Sequence, residues 1–421
     1  MKLSRIGRIS MAFVVSVAMG LGMTACGGGT VGFMWVLGTQ YNQIAGFKID
    51  DYTGNLTQIV HSPFSSGGAN PVDLVVVPGG RYVYVVNQGS STATPGSSFP
   101  CGTSGSITEF SVGGGGILTF QQCFSSQGSS PVWAAHDSTG SYLYVLDQQA
   151  PPVNGVLPSN GDITVFSIAS DTGRLTLVLN QQVKDPITGQ QLTYFPVGNK
   201  PSMMALGGGG CLLTLDQGDQ TIFPYSVAGG GQLNLTANST VPLNSTDATS
   251  ISTNGSNVYI TDAGAPNTPG QILPFTVGNS CSLNTANGGA VANLSSASRP
   301  TFSMTTAQKS GNQYLLVLNQ STTNSNASSY SSISSFIIDP TTGKLSPVND
   351  PGNNPYKSGA GPVCMVEDPT DQYIYTSNGV DGTASGFQLD NTSGELSNLK
   401  RGSTFAATGQ ATCLAVSPNV D

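Results

Sequence analysis

Few side chains in this 421-residue chain could carry chemistry, and their spacing is uninformative about a reaction. The only histidines are His61 and His136, and neither has a neighbour in sequence that would make it a general base. There is no GxSxG nucleophile motif, no metal-ligand spacing and no EF-hand loop. What remains is a scatter of polar residues, Asp73, Trp133, Lys200, Asp247 and Arg299, each placed where a predicted strand meets a loop. Brought together at a channel mouth, Asp73 and Arg299 would meet an acidic or hydroxylated ligand, with Trp133 and His61 as further contacts on the same face. Asp73, Lys200, Asp247 and Arg299 are also the candidates for catalysis, with a divalent cation as the Lewis acid. Binding alone requires no cofactor.

A repeat must position these residues. The string YVYVVN at Tyr82 returns as YLYVLD at Tyr142, YLLVLN at Tyr314 and YIYTSN at Tyr373. Both side-chain faces of each string are apolar, as in a strand covered on both sides. A second string, ITEFSV at Ile107, has counterparts at Ile44, Ile163, Ile222, Ile272, Ile333 and Ala384. A leucine follows each (Leu56, Leu118, Leu175, Leu233, Leu283, Leu345, Leu396), usually just after a glycine as in TGNL or TGKL, which predicts a hairpin. Before the YVYVVN type lies an apolar run opened by Pro71, Pro131, Pro201, Pro300 or Pro362, and the first place in a strand is where a sheet tolerates proline. Each period therefore holds four strands, A to D. Seven periods of this kind predict an all-β, seven-bladed propeller over residues 33–421. The chain starts on a B string, FMWVLG, and ends on an A string, ATCLAVSPN, so C-terminal strand A should pair with the N-terminal B, C and D strands and close the ring.

Antiparallel order puts the B to C and D to A connections on one face of the disc, and the connections there are long. That face is the expected binding face. His61 falls in a D to A loop on it, and His136 near the opposite face. The Asn or Asp that ends strand B (Asn87, Asp147, Asp216, Asp262, Asn319, Asn378) recurs too regularly for a site and reads as a loop-fixing hydrogen bond.

Residues 1–25 read as a lipoprotein signal peptide. Lys2, Arg5 and Arg8 precede the apolar MAFVVSVAMGLGM, which is too short to span a bilayer, and MTAC resembles the bacterial lipobox. Cys26 would be the lipidated residue and 26–32 its flexible tether, giving an exported, membrane-anchored lipoprotein that faces the periplasm or the cell surface. Loss of three cations with the signal takes the formal charge from -8 to -11, which argues against a nucleic-acid partner. The expected partners are the membrane, through Cys26, and an envelope protein, glycan or small ligand; the chain is read as a monomer. Six other cysteines suit an oxidising compartment. Cys101 and Cys123 flank one predicted hairpin and should pair, while the other pairings stay open.

The recurring FKIDDYTGNL, FIIDPTTGKL and FQLDNTSGEL, with PGGRYVYVVN, resemble the lactonase family of seven-bladed propellers, which includes 6-phosphogluconolactonase and carboxymuconate cyclase. The resemblance implies an inner strand that opens with Arg-His and a following strand that ends in Asn-Glu. Here Val72 and Asp73, then Val132 and Trp133, stand in the Arg-His places, and Gln88 and Gln148 in the Glu place. Two functions follow. One is a lipid-anchored propeller that binds a ligand or partner without catalysis. The other is a sugar-lactone hydrolase with a divergent site.

Overall fold

Both faces of YVYVVN are apolar because the strand lies between two neighbouring sheets. Tyr82–Asn87 is buried throughout and is the second strand of an antiparallel blade. The computed structural model describes residues 29–90, 99–152, 155–185, 188–236, 240–265, 270–286, 288–295, 298–307, 311–321 and 331–418. Cys26 and the expected signal peptide lie outside the described residues. Blade 1 runs outward from the axis as strand A (Pro71–Val76), B (Tyr82–Asn87), C (Ser106–Val112) and D (Leu118–Phe124). The inner strands of blades 2 to 6 are Ser129–His136, Pro201–Gly207, Ala248–Asn254, Ser298–Thr305 and Pro362–Glu367. Strand D opens on the expected leucine in every blade.

Blade 7 joins the two ends of the chain. Ala411–Pro418 supplies strand A beside Thr30–Gly38, Gln43–Asp50 and Leu56–Gln58, with Trp35 opposite Ala415 and Val36 opposite Leu414. Strand B opens at Thr30, inside the stretch read as tether, because Thr30 and Gly32 pair with Asp50 and Ile49. The seven-bladed all-β ring, with its C-terminal strand stitched beside the N-terminal three, is thus the observed architecture.

The repeated tyrosines latch one blade to the next. Tyr84 Oη donates to the Gly173 carbonyl of blade 2, Tyr259 to Gly343 of blade 5 at 2.9 Å, and Tyr375 to Gly54 of blade 7 at 2.6 Å. Each acceptor is the glycine of a TG turn between strands C and D. These turns need positive φ, 67° at Gly54 and 74° at Gly173. They also need the missing side chain: a Cβ at Gly54 would come within 2.4 Å of the Tyr373 ring, and one at Gly173 within 2.5 Å of Tyr82. The TGxL and YxY motifs are two halves of one contact.

Six blades carry a feature absent from the expected pattern. Their strand D breaks after three residues, and a second short segment resumes pairing with strand C; in blade 7 this is Phe64–Ser65 against Gln43 and Ile44. His61 sits in that break, exposed, with φ 67° and beside the cis Ser62-Pro63 bond. It therefore belongs to the outer rim of the disc and not to a D to A loop at the binding face. The expected Cys101–Cys123 bridge forms. Cys211–Cys281 ties strand B of blade 3 to the C to D turn of blade 4, and Cys364–Cys413 joins the inner strands of blades 6 and 7.

Candidate functional site

The inner strands shift register just after Pro71, Pro131, Pro201, Ala248, Pro300, Pro362 and Ala411, and the residue two places beyond each falls in a common layer of the ring. That layer holds Asp73, Trp133, Met203, Ser250, Phe302, Cys364 and Cys413. Trp133 of blade 2 and Phe302 of blade 5 come from opposite sides of the ring, yet their ring centroids are 6.3 Å apart. They plug the channel. Both also pack on the apolar cores of several blades, so Trp133, expected as a ligand contact on the long-loop face, is a structural hub inside the ring. Trp133→Ala is expected to lower the unfolding free energy by about 3 kcal/mol in denaturant melts. A loss below about 0.5 kcal/mol, the range of an inert surface change, would contradict the plug.

Asp73 lies in the same layer and is 2% exposed. Its Oδ2 accepts the Ala134 amide of blade 2 at 2.8 Å, satisfying an N–H that an inner edge strand would otherwise leave unpaired. Burial pushes its carboxyl up to about 7, against the opposing pull of that amide. Between the plug and the A to B turns lies a cavity of about 330 Å³, with His136, Met304, Met365 and Glu367 among its lining.

Arg299 does not pair with Asp73. Its Nη2 contacts Asp247 Oδ2 at 2.8 Å and the Gly264 carbonyl at 2.7 Å, and its Nε donates to the Ala263 carbonyl. Arg299 and Asp247 thus clamp blade 5 to blade 4. Lys200 is exposed, with φ 46°, at the entry to the inner strand of blade 3. The fold brings Asp247 to Arg299 and leaves Asp73 and Lys200 elsewhere.

The described ends of the B to C and D to A connections share one face. Between blades 1 and 2 the described ends of the B to C loop and the D to A link line an open hollow of about 850 Å³, with Gln88, Gly89, Thr103, Ser126, Ser129 and Ser130 among its residues. Among the described residues, no charged side chain lines it. A second hollow of about 680 Å³ forms between blades 6 and 7, at Tyr41, Val380, Asp381 and Gln410.

The residues that end strand B are buried and fix local structure, as their regularity implied. Asn87 Nδ2 donates to Thr108 Oγ1 at 2.9 Å, Asn319 to Ser334 at 2.9 Å and Asn378 to Ser385 at 2.9 Å. Blade 2 alone sets a second acid opposite, Asp162 facing Asp147. Burial raises both carboxyls above the ordinary range, and the Asp147 charge raises Asp162 further.

No family model matches the chain, and no curated protein matches it in sequence. Solved structures do match. A periplasmic gluconolactonase of Pseudomonas aeruginosa superposes with a TM-score of 0.64 at 16% identity, over 92% of this chain and 99% of that one. The chain has the fold of the lactonase-like propellers. A candidate 6-phosphogluconolactonase of Bacteroides fragilis gives 0.62 at 16% identity, over 92% and 98%, and a Lactobacillus plantarum protein 0.65 at 16%, over 92% and 100%. At such identity the likeness is one of fold. Within that fold, sequence reasoning missed Phe302, Asp162 and the Ser/Gly hollow. Asp162 had a signal, since Ser106, Thr221, Gln271, Ser332 and Thr383 occupy its place in five other blades.

Proposed function

We propose that this protein is an exported, lipid-anchored propeller that binds a neutral, hydroxyl-rich ligand, a glycan, on its long-loop face without transforming it. The observation that carries this reading is the hollow between blades 1 and 2. Amide, hydroxyl and glycine backbone groups line it, offering donors and acceptors together, as a polyol requires. An anionic sugar phosphate would meet no cation there. The places where the resemblance implies a cation and a base support the same reading. Val72 and Val132 carry no charge, Asp73 is engaged by the Ala134 amide, and Trp133 is packed against Phe302.

The fold neighbour described as a periplasmic gluconolactonase makes lactone hydrolysis the natural competitor. Residues 27–421, incubated with glycan fragments and with sugar lactones, with and without calcium or magnesium, separate the two. The expected result is a thermal shift with a neutral oligosaccharide, abolished by Ser129→Trp in the hollow, and no acid released from any lactone. Acid release above the buffer rate would overturn the non-catalytic reading. A thermal shift that survives Ser129→Trp would remove the hollow as the site.

A further inference from the structure

The repeat supplies its own control for one unusual pair. Across the B to C ladder, the residue ending strand B faces a hydroxyl or an amide: Asn87 faces Ser106, Asp216 faces Thr221, Asp262 faces Gln271, Asn319 faces Ser332 and Asn378 faces Thr383. A neutral donor can satisfy an acid there, as Gln271 Nε2 does for Asp262 Oδ2 at 2.9 Å. In blade 2 the same register sets Asp147 against Asp162, and both are 0% exposed. The one ion pair among the described residues lies elsewhere, so no cationic side chain neutralises them.

Oxygen atoms converge on this pair. Ser126 Oγ is 2.7 Å from Asp147 Oδ1, and Thr164 Oγ1 is 3.5 Å from both Asp147 Oδ2 and Asp162 Oδ2. Asp162 Oδ1 is buried with no hydrogen-bond partner. Such an atom costs free energy unless something else satisfies it. It borders Gly128, where a Cβ would come within 2.1 Å of it and within 2.6 Å of Asp147 Cβ. Only glycine leaves that oxygen its space.

We propose that Asp147 and Asp162 hold one calcium ion, with the hydroxyls of Ser126 and Thr164 as neutral ligands. Donors that are all oxygen select a hard cation, and two carboxylates balance a divalent charge. Calcium accepts irregular oxygen shells, whereas magnesium demands near-ideal octahedral geometry. Ser126 and Gly128 also line the hollow between blades 1 and 2, which gives the ion its way in. The ion would tie the D to A link, through Ser126, to strands B and C of blade 2. This site is independent of whether the hollow takes a glycan.

The test uses the purified full chain, stripped with chelator and dialysed, then titrated with calcium chloride by calorimetry and by thermal melts. One calcium per chain is expected, with Tm rising by roughly 3 °C at a hundred times the Kd. Magnesium at equal concentration should do far less. Asp162→Asn recreates the acid-amide pairing seen at Asp262 and Gln271 and should fold. It is expected to lose both the binding heat and the calcium-dependent shift. No heat and no shift in the native chain would overturn the proposal, as would a shift that Asp162→Asn retains. Stability that ignores calcium and rises in Asp162→Asn would also overturn it, by assigning the pair a shared proton.

Discussion

A chain that ends at Gln410 is expected to lose cooperative unfolding altogether and to elute as an aggregate. Removal of Ala411–Pro418 takes away the whole inner strand of blade 7 and strips the ladder from Thr30–Gly38. Phe33, Met34, Trp35, Val36 and Leu37, each at most 1% exposed, would lose cover on the axial side. Burial of one such side chain contributes about 1.5–3 kcal/mol, so the loss of several approaches the whole stability of an ordinary domain, about 5–15 kcal/mol. The cut also removes Cys413, the partner of Cys364, and opens an apolar edge on which a second chain can add a strand. Circular dichroism melts and gel filtration check this. A truncated chain that melts within a few degrees of the intact one, as a monomer, would mean that the ring does not depend on its closure.

Thermal stability should fall as pH rises from 4 to 7 and then level off. Asp73 and Asp216 are buried, and burial pushes each carboxyl to about 7. In the unfolded chain an aspartate titrates near 4, so between those values the folded chain holds the extra protons. Stability then declines with pH, by at most about 1.4 kcal/mol per pH unit for each group. Over the interval each acid would therefore remove up to about 4 kcal/mol. Asp73→Asn isolates one of them, because an amide oxygen can still accept the Ala134 N–H. This variant should melt above the native chain at pH 8, with the gap narrowing by pH 5. If Asp73→Asn is less stable than the native chain at pH 8, the buried carboxyl is not a liability in its charged form.

The same residues show how much of this protein is local. Strand order, blade number and ring closure were legible because each blade is a repeat unit covered on both faces, so every copy must carry two-sided apolar strands and a turn glycine. The pairing of Cys101 with Cys123 was legible for the same reason, since both flank one hairpin. The Tyr and Gly motifs were visible as strings, but not as partners, because the contact joins consecutive blades.

What happens at the axis was not written in any one segment. Trp133 and Phe302 are 169 positions apart, and only the closing of the ring sets them face to face. Arg299 was expected beside Asp73, but the packing of successive blades gave it to Asp247 and carried Asp73 into the interior. His61 went astray because a break in strand D, not a loop over the axis, holds it. Hydrophobic period dictates which residues are covered within a blade, a property of adjacent residues. Which polar groups meet depends on the angle between sheets, and that angle exists only when all seven are packed around one axis.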